Sequence, residues 1–352
     1  MQGALPPPVA RDTQRGERDV SMADIIAEAQ ALARAGELIL AGLPVALPTE
    51  TVYGLAADAT SGEAVARIYE AKGRPRFNPL IVHVADRAMA DRIGILDPLS
   101  QRLADAFWPG PLTLVVPLRD GAGISPLVTA GLATVGLRMP VGFAARLIAA
   151  TGRPLAAPSA NSSGRVSATS AQAVAADLGD RIPLIVDGGA TPVGVESTIV
   201  KVEDGRVRLL RPGGVPASAI EAVAGMRLQR GLTVPDGSGR AGEAPGAAVE
   251  APGMLASHYA PRAAVRLGAA SVGAGEALLA FGPTRIPGAE NAAAVANLSP
   301  AGNLREAAAN LFAMLSALDR AGASVIAVEP IPAEGLGEAI ADRLARAAAP
   351  RG

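Results

Sequence analysis

Three stretches of the chain put polar side chains where a simple packed domain has no use for them. The first, Leu47–Ala59 (LPTETVYGLAADA), sets Thr49, Glu50, Thr51 and Tyr53 directly after an apolar run, and Gly54 permits a tight turn. Thr and Glu are also ordinary capping residues, so spacing alone favours a capped loop before a helix. The second, Tyr69–Val84 (YEAKGRPRFNPLIVHV), gathers Lys72, Arg74, Arg76 and Asn78, with His83 inside the apolar strand that follows. Gly73 and Pro75 break the preceding helix and leave backbone N–H groups on an irregular loop for an anion; Lys72 and Arg74 together would cradle a triphosphate. A solvated turn explains the cluster equally well. By residue type alone, His83 is better read as a satisfied core histidine. The third places Arg138 at a strand end and then runs from Pro158 to Ser170, with Ser159, Asn161, Ser162, Ser163, Ser167, Thr169 and Ser170 around Gly164. Hydroxyl and amide groups in that density suit ribose, phosphate or carboxylate, although alone they also describe a surface loop. GVESTIV (194–200) and LLRPG (209–213) repeat the theme of a polar group or arginine beside a strand end.

The elements that must position these residues follow from apolar periodicity. Residues 1–20 are polar and proline-rich and read as a disordered tail. Ser21 then caps a helix from Met22 to about Ala35, ended by Gly36. LILAGLPVALPT reads as a strand leading into a loop. Further strands are expected at 79–84, 112–117, 134–138, 155–157, 184–186 and 198–202, and helices at 62–72, 98–106, 143–150 and 170–178. Strands outnumber helices and several connections are too short for a crossover, which implies α/β architecture with a twisted mixed sheet flanked by helices. This domain spans 21–225. Residues 226–262 read as a Gly-, Ala- and Pro-rich linker. Its formal GxGxxG at Gly237–Gly242 lacks the strand before and the helix after that a dinucleotide site needs. From 263 to 352, short strands alternate with a helix over Asn303–Ala321 and another over Gly337–Ala347, implying a smaller Rossmann-like α/β domain with parallel strands.

Composition removes whole classes of chemistry. No cysteine occurs, so disulfides, thiolate nucleophiles and thiolate metal sites are out. Two histidines, His83 and His258, cannot build a three-histidine zinc centre, and no protein-held metal is expected. There is no P-loop, no GxSxG elbow and no HExxH. Acyl or phosphoryl chemistry would therefore rest on positioning and positive charge. Net charge is −1, and residues 41–225 hold 17 basic against 16 acidic side chains, which argues against strong nucleic-acid binding. No apolar run is long enough to cross a bilayer, and a cytoplasmic location is expected. Of 32 basic residues only Lys72 and Lys201 are lysines, which singles out Lys72 as a site where a compact ammonium matters.

In this order, PTETVYGL (48–55), KGRP…NPLIVH (72–83), WPGPLT (108–113), TVGLRMP (134–140), APSAN (157–161), GVESTIV and LLRPG resemble the threonylcarbamoyl-AMP synthase (YrdC-like) family. The linker element APGMLASHYAP (251–261) and the pattern from 303 to 347 resemble its longer, two-domain form. The resemblance implies an enzyme that makes L-threonylcarbamoyl-AMP and pyrophosphate from L-threonine, bicarbonate and ATP, with Mg accompanying the nucleotide. It also implies a role in threonylcarbamoyladenosine formation in tRNA, with downstream tRNA-modifying proteins as partners. By motif, Thr51, His83, Arg138, Ala157 and Ser197 would contact threonine, with Arg138 forking the carboxylate. Arg74, Asn78, Thr134, Ser159, Asn161, Ser167 and Arg211 would contact ATP, and Lys72 with Arg74 would carry the catalytic positive charge. This reverses the plain reading of His83. The linker would pack over the site, and Leu255, Ala256 and Ser257 stand where relatives carry basic or aromatic residues, so its contacts are expected to be weaker or differently made. An RNA-binding or regulatory module on the same fold is the alternative.

Overall fold

The computed structural model describes residues 22–230, 249–254 and 257–350. The proline-rich tail, the GxGxxG segment and residues 255–256 of the linker lie outside the described residues.

The chain opens with β1 (Asp24–Ala27) and α1 (Glu28–Leu40), then β2 (Val45–Leu47), β3 (Gly54–Asp58) and α2 (Gly62–Lys72). Next come β4 (Ile81–His83), α3 (Arg87–Ile93), α4 (Pro98–Phe107), β5 (Leu112–Pro117), α5 (Pro126–Thr129) and β6 (Thr134–Arg138). They are followed by α6 (Phe143–Thr151), β7 (Leu155–Ala156), α7 (Ala171–Leu178), β8 (Leu184–Asp187), β9 (Thr198–Glu203), β10 (Arg206–Arg211), α8 (Ala217–Ala224) and β11 (Gln229–Arg230). Side-chain oxygens of Ser61, Asp86, Asp97 and Ser170 cap the helices that follow them, satisfying N–H groups that have no intrahelical partner.

These strands form one mixed sheet in the order β1-β8-β2-β3-β7-β4-β6-β5-β9-β10-β11. Period-two alternation gives its faces opposite tasks. Val82, Leu112, Leu114, Val116, Val135 and Leu137 enter the large apolar core beneath the helices. On the opposite face Ile81, Val115 and Ile199 pack with Leu210 and with Ala251 and Met254 of the linker. His83, Thr113, Thr134 and Arg138 share the alternation of Ile81 and Val115 and so belong to this second face. In the parallel pairing of β4 with β6, His83 lies opposite Arg138.

The expected strands between 79 and 202 form with shifts of a residue or two, and α2 spans the expected residues. The N-terminus differs. Residues 24–27 pair in parallel with β8, so a strand replaces the first turn of the expected helix. The helix then continues through Gly36 and takes up Leu38–Leu40, which were expected in a strand. A glycine inside a helix is tolerated where packing supplies the stability, and a Cβ at Gly36 would touch only Thr151 on α6 at an ordinary 3.6 Å. The first strand therefore shrinks to β2, and the stretch expected to be a capped loop contains β3, paired antiparallel to β2.

The C-terminal region contains β12 (Ala264–Arg266), β13 (Ala277–Ala280), β14 (Val295–Asn297), α9 (Leu304–Arg320), β15 (Val325–Val328) and α10 (Leu336–Ala348). Its four strands are all parallel, in the order β12-β15-β13-β14. Its core includes Phe312, Leu315, Ile326 and Ile340, and it also takes in Val52 and Val195 from the first half of the chain. Gly194 fits there at φ +76, and a Cβ would meet the Ala308 carbonyl oxygen of α9 at 2.3 Å.

Candidate active site

Several strand ends and the returning linker line a cavity open to solvent, with about 520 Å³ of free space, on the second face of the sheet. Of the residues expected to bind threonine, Thr51, His83, Arg138, Ala157 and Ser197 all line it. Of those expected at ATP, Arg74, Ser159 and Arg211 line it as well. Thr134 lines a neighbouring hollow of about 270 Å³, which shares Ile81 and Pro252 with the first.

Three buried guanidinium groups dominate the cavity. Arg138, at the end of β6, donates from Nη2 to Glu50 (2.6 Å) and from Nε to the Gly110 carbonyl (3.3 Å). That leaves Nη1 and one Nη2 hydrogen for a carboxylate. Arg74 donates from Nη2 to the Pro79 carbonyl (3.0 Å), and burial lowers it to about 10, still charged near neutrality. Arg211 is held by the Ser197 carbonyl (2.9 Å), by the Ser197 hydroxyl (3.1 Å) and by the Pro252 carbonyl of the linker (3.3 Å). Such a concentration of positive charge in a cleft raises the local anion concentration.

The hydroxyl groups form pairs. Thr49 and Thr51 share a hydrogen bond at 2.8 Å, and so do Thr113 and Ser197. His83 is buried beside Arg138, and desolvation followed by that neighbouring charge pushes its imidazole well below its ordinary value, so it is neutral.

Neither hollow is lined by Lys72, Asn78, Asn161 or Ser167. Lys72 lies behind the lining rather than in it: its Nζ donates to the carbonyls of Ser159 (2.5 Å) and Asn161, fixing the loop that presents Ser159. Ser167 donates to Glu196 at 2.5 Å, and Asn161 donates to the carbonyls of Ser162 and Arg165. Most of the hydroxyl-rich loop is therefore committed internally, with Ser162 bound to Asp177 and Ser170 capping α7. Asn78 is buried with neither atom of its amide partnered, an arrangement that a bound ligand would relieve.

Residue-by-residue reading missed Glu196, the one carboxylate among the described residues that line the cavity, and underused the linker. Burial alone would raise the Glu196 carboxyl, but Arg343, Arg211 and the hydrogen bonds of Ser167 and Arg343 outweigh it and hold it at about 2. Pro252, Gly253, His258 and Tyr259 roof the cavity. Gly253 sits at φ +83, where a Cβ would come within 2.9 Å of Arg211 and 2.8 Å of the Tyr259 hydroxyl. The leading edge of this strap is tied down by Glu250, which pairs with Lys201 (2.8 Å) and with Arg208. His258 is lowered to about 3, chiefly by burial, with Arg74, Lys72 and Arg211 adding to the effect. Among the described residues no group of three or more acidic or histidine side chains is arranged to hold a metal.

A family model described as "Telomere recombination" (Sua5_yciO_yrdC) matches residues 37–213, and one described as "Threonylcarbamoyl-AMP synthase, C-terminal domain" matches residues 215–349. The threonylcarbamoyl-AMP synthase of Bacillus subtilis is 42% identical, covering 93% of this chain and 93% of its own. The synthase of Pyrococcus abyssi is 39% identical, over 89% of this chain and 92% of its own. The crystal structure of P. abyssi Sua5 complexed with L-threonine superposes with a TM-score of 0.82 at 38% identity, covering 93% of this chain and 98% of that one.

Proposed function

The chain belongs to the threonylcarbamoyl-AMP synthase family, in its two-domain form, and we propose that its cavity joins L-threonine, bicarbonate and ATP into L-threonylcarbamoyl-AMP and pyrophosphate. It is an adenylate-forming enzyme of the nucleotidyltransferase type. The observation that carries the assignment of the site is the meeting of Arg74, Arg138 and Arg211 in one hollow with the hydroxyl groups of Thr51, Ser159 and Ser197.

The chemistry sets what the residues must do. The threonine amine takes up the carbon of bicarbonate with loss of water to give a carbamate. One carbamate oxygen then bonds to the α-phosphorus as the bond to pyrophosphate breaks. Both reactants are anions, so the enzyme's main task is to hold them together against repulsion. Arg138 takes the threonine carboxylate, while Glu50 fixes the guanidinium from the other side. Neutral His83 and the Thr49–Thr51 pair receive the rest of the amino acid. Arg74 and Arg211 face the phosphates, Ser159 and Thr134 the remainder of the nucleotide. Magnesium would arrive with the phosphates as part of the substrate, since Glu196, the one carboxylate among the described residues that line the cavity, is committed to Ser167 and Arg343. Lys72 serves by holding the Ser159–Asn161 backbone. The product feeds tRNA threonylcarbamoyladenosine formation.

Pyrophosphate release with ATP and bicarbonate is expected to require L-threonine. Arg138→Ala and Arg74→Ala are each expected to lower kcat/KM at least ~100-fold, the scale of losing one preorganised electrostatic contact. Release that ignores threonine would overturn the function. Near-normal kinetics in both variants would overturn the site.

A further inference from the structure

Arg343 of α10 is the largest fully buried side chain among the described residues, and it is 0% exposed. It belongs to the C-terminal region, yet three of its partners, Glu196, Pro212 and Tyr259, lie in other parts of the molecule. Its Nε donates to Glu196 at 2.7 Å, and Glu196 accepts the Ser167 hydroxyl on its other oxygen at 2.5 Å. Its Nη2 donates to the Pro212 carbonyl at 3.0 Å, directly after Arg211. Its guanidinium lies 5.0 Å from the ring centroid of Tyr259, in the strap over the cavity, and that ring stacks on Phe312 of α9 at 5.5 Å. Asp342 takes its remaining terminal nitrogen. Backbone packing beneath the contact leaves no slack, because a Cβ on Gly213 would lie 2.3 Å from the Glu196 carbonyl oxygen.

A cation buried this completely persists only when its donors are met, and removing one partner of such a pair leaves a charge stranded. The arrangement spends a guanidinium on surfaces that line the cavity, while Arg343 itself does not line it. We propose that Arg343 is a positioning residue through which the C-terminal region completes the active site: it orients Glu196 and, through it, Ser167, anchors the turn carrying Arg211, and seats Tyr259 against the cavity. The proposal rests on the synthase reading and gives the C-terminal region a part in substrate binding rather than in stability alone.

Two variants test it together. Arg343→Lys keeps a cation near Glu196 but loses the flat surface under Tyr259 and the second nitrogen for Pro212. Arg343→Met combined with Glu196→Gln removes both charges, so neither is stranded, and buried pairs replaced in this way commonly fold. In threonine-dependent pyrophosphate release, both are expected to raise KM for ATP at least ~10-fold, with thermal unfolding midpoints showing that they are folded. A residue that only braces the fold would reduce the active fraction, hence kcat, at unchanged KM; that result, or wild-type kinetics in both variants, would overturn the proposal. Failure of the wild-type enzyme to respond to threonine would instead overturn the synthase reading.

Discussion

The two imidazoles near the cavity have no charge to contribute at neutral pH. His83 and His258 are both buried, and both lie below their ordinary value, His258 at about 3. The sign of the consequence follows from linkage. Above about 6.5 these imidazoles are neutral folded or unfolded, and stability does not depend on them. Below 6.5 the unfolded chain takes up protons that the folded chain refuses, so stability falls steadily as pH drops toward 3. Glu196 acts lower on the scale. Its folded value of about 2 against an ordinary 4.5 means that the stability it supplies is present above 4.5 and is lost as pH falls toward 2. The thermal midpoint is expected to decline from pH 6.5 downward. A flat profile to pH 4 would show that the histidines are not buried neutral. At this scale the site is legible mainly through the family resemblance: residue types alone leave Thr51 in a capped loop and His83 in the core, whereas the motifs name Thr51, His83, Arg138, Ser197 and Arg211, which line one cavity. Lys72 is not legible in the same way: the residue type announces a role, but only the fold shows that its ammonium meets carbonyls.

Among the elements, the strap over the cavity is held by contacts of several kinds. Ala251 and Met254 add to the apolar face of the sheet, and Arg211 holds the Pro252 carbonyl. Glu250 holds the leading edge through Lys201 and Arg208, pairs that are partly open to solvent. Pairs of that exposure contribute about 1 kcal/mol or less each. Glu250→Ala is therefore expected to raise KM for ATP only about two- to fivefold, with kcat retained, in steady-state pyrophosphate release. A collapse of kcat would mean that the strap's entry is part of the chemistry. Linker composition predicts an irregular segment here, and the resemblance places it over the cavity, but neither identifies the contacts. Those contacts depend on backbone carbonyls and on Gly253, whose need for positive φ appears only once Tyr259 and Arg211 are in place. The N-terminal elements fail to be legible for a similar reason: residues 24–27 become a strand by pairing with β8, far along the chain, and local periodicity carries no trace of that partner.

The molecule as a whole has two sheets but not two independent interiors. Strand and helix alternation after residue 263 reads correctly as a small parallel α/β unit, and the mixed sheet before it reads correctly from its short connections. What alternation cannot show is that Val52 and Val195 enter the second core, that α9 presses on Gly194, or that Arg343 crosses to Glu196. In α10 an arginine on an amphipathic helix looks like any solvated charge until its partner on the other sheet is known. The shared interior has a calorimetric consequence. Separating the halves would expose aliphatic side chains and strand a buried ion pair, so neither can melt while the other stays intact. A scan of heat capacity against temperature is expected to show one endotherm for the whole chain, shifted upward as a unit when ATP and threonine bind, since the pocket is walled by the first half and roofed by Pro252, Gly253, His258 and Tyr259.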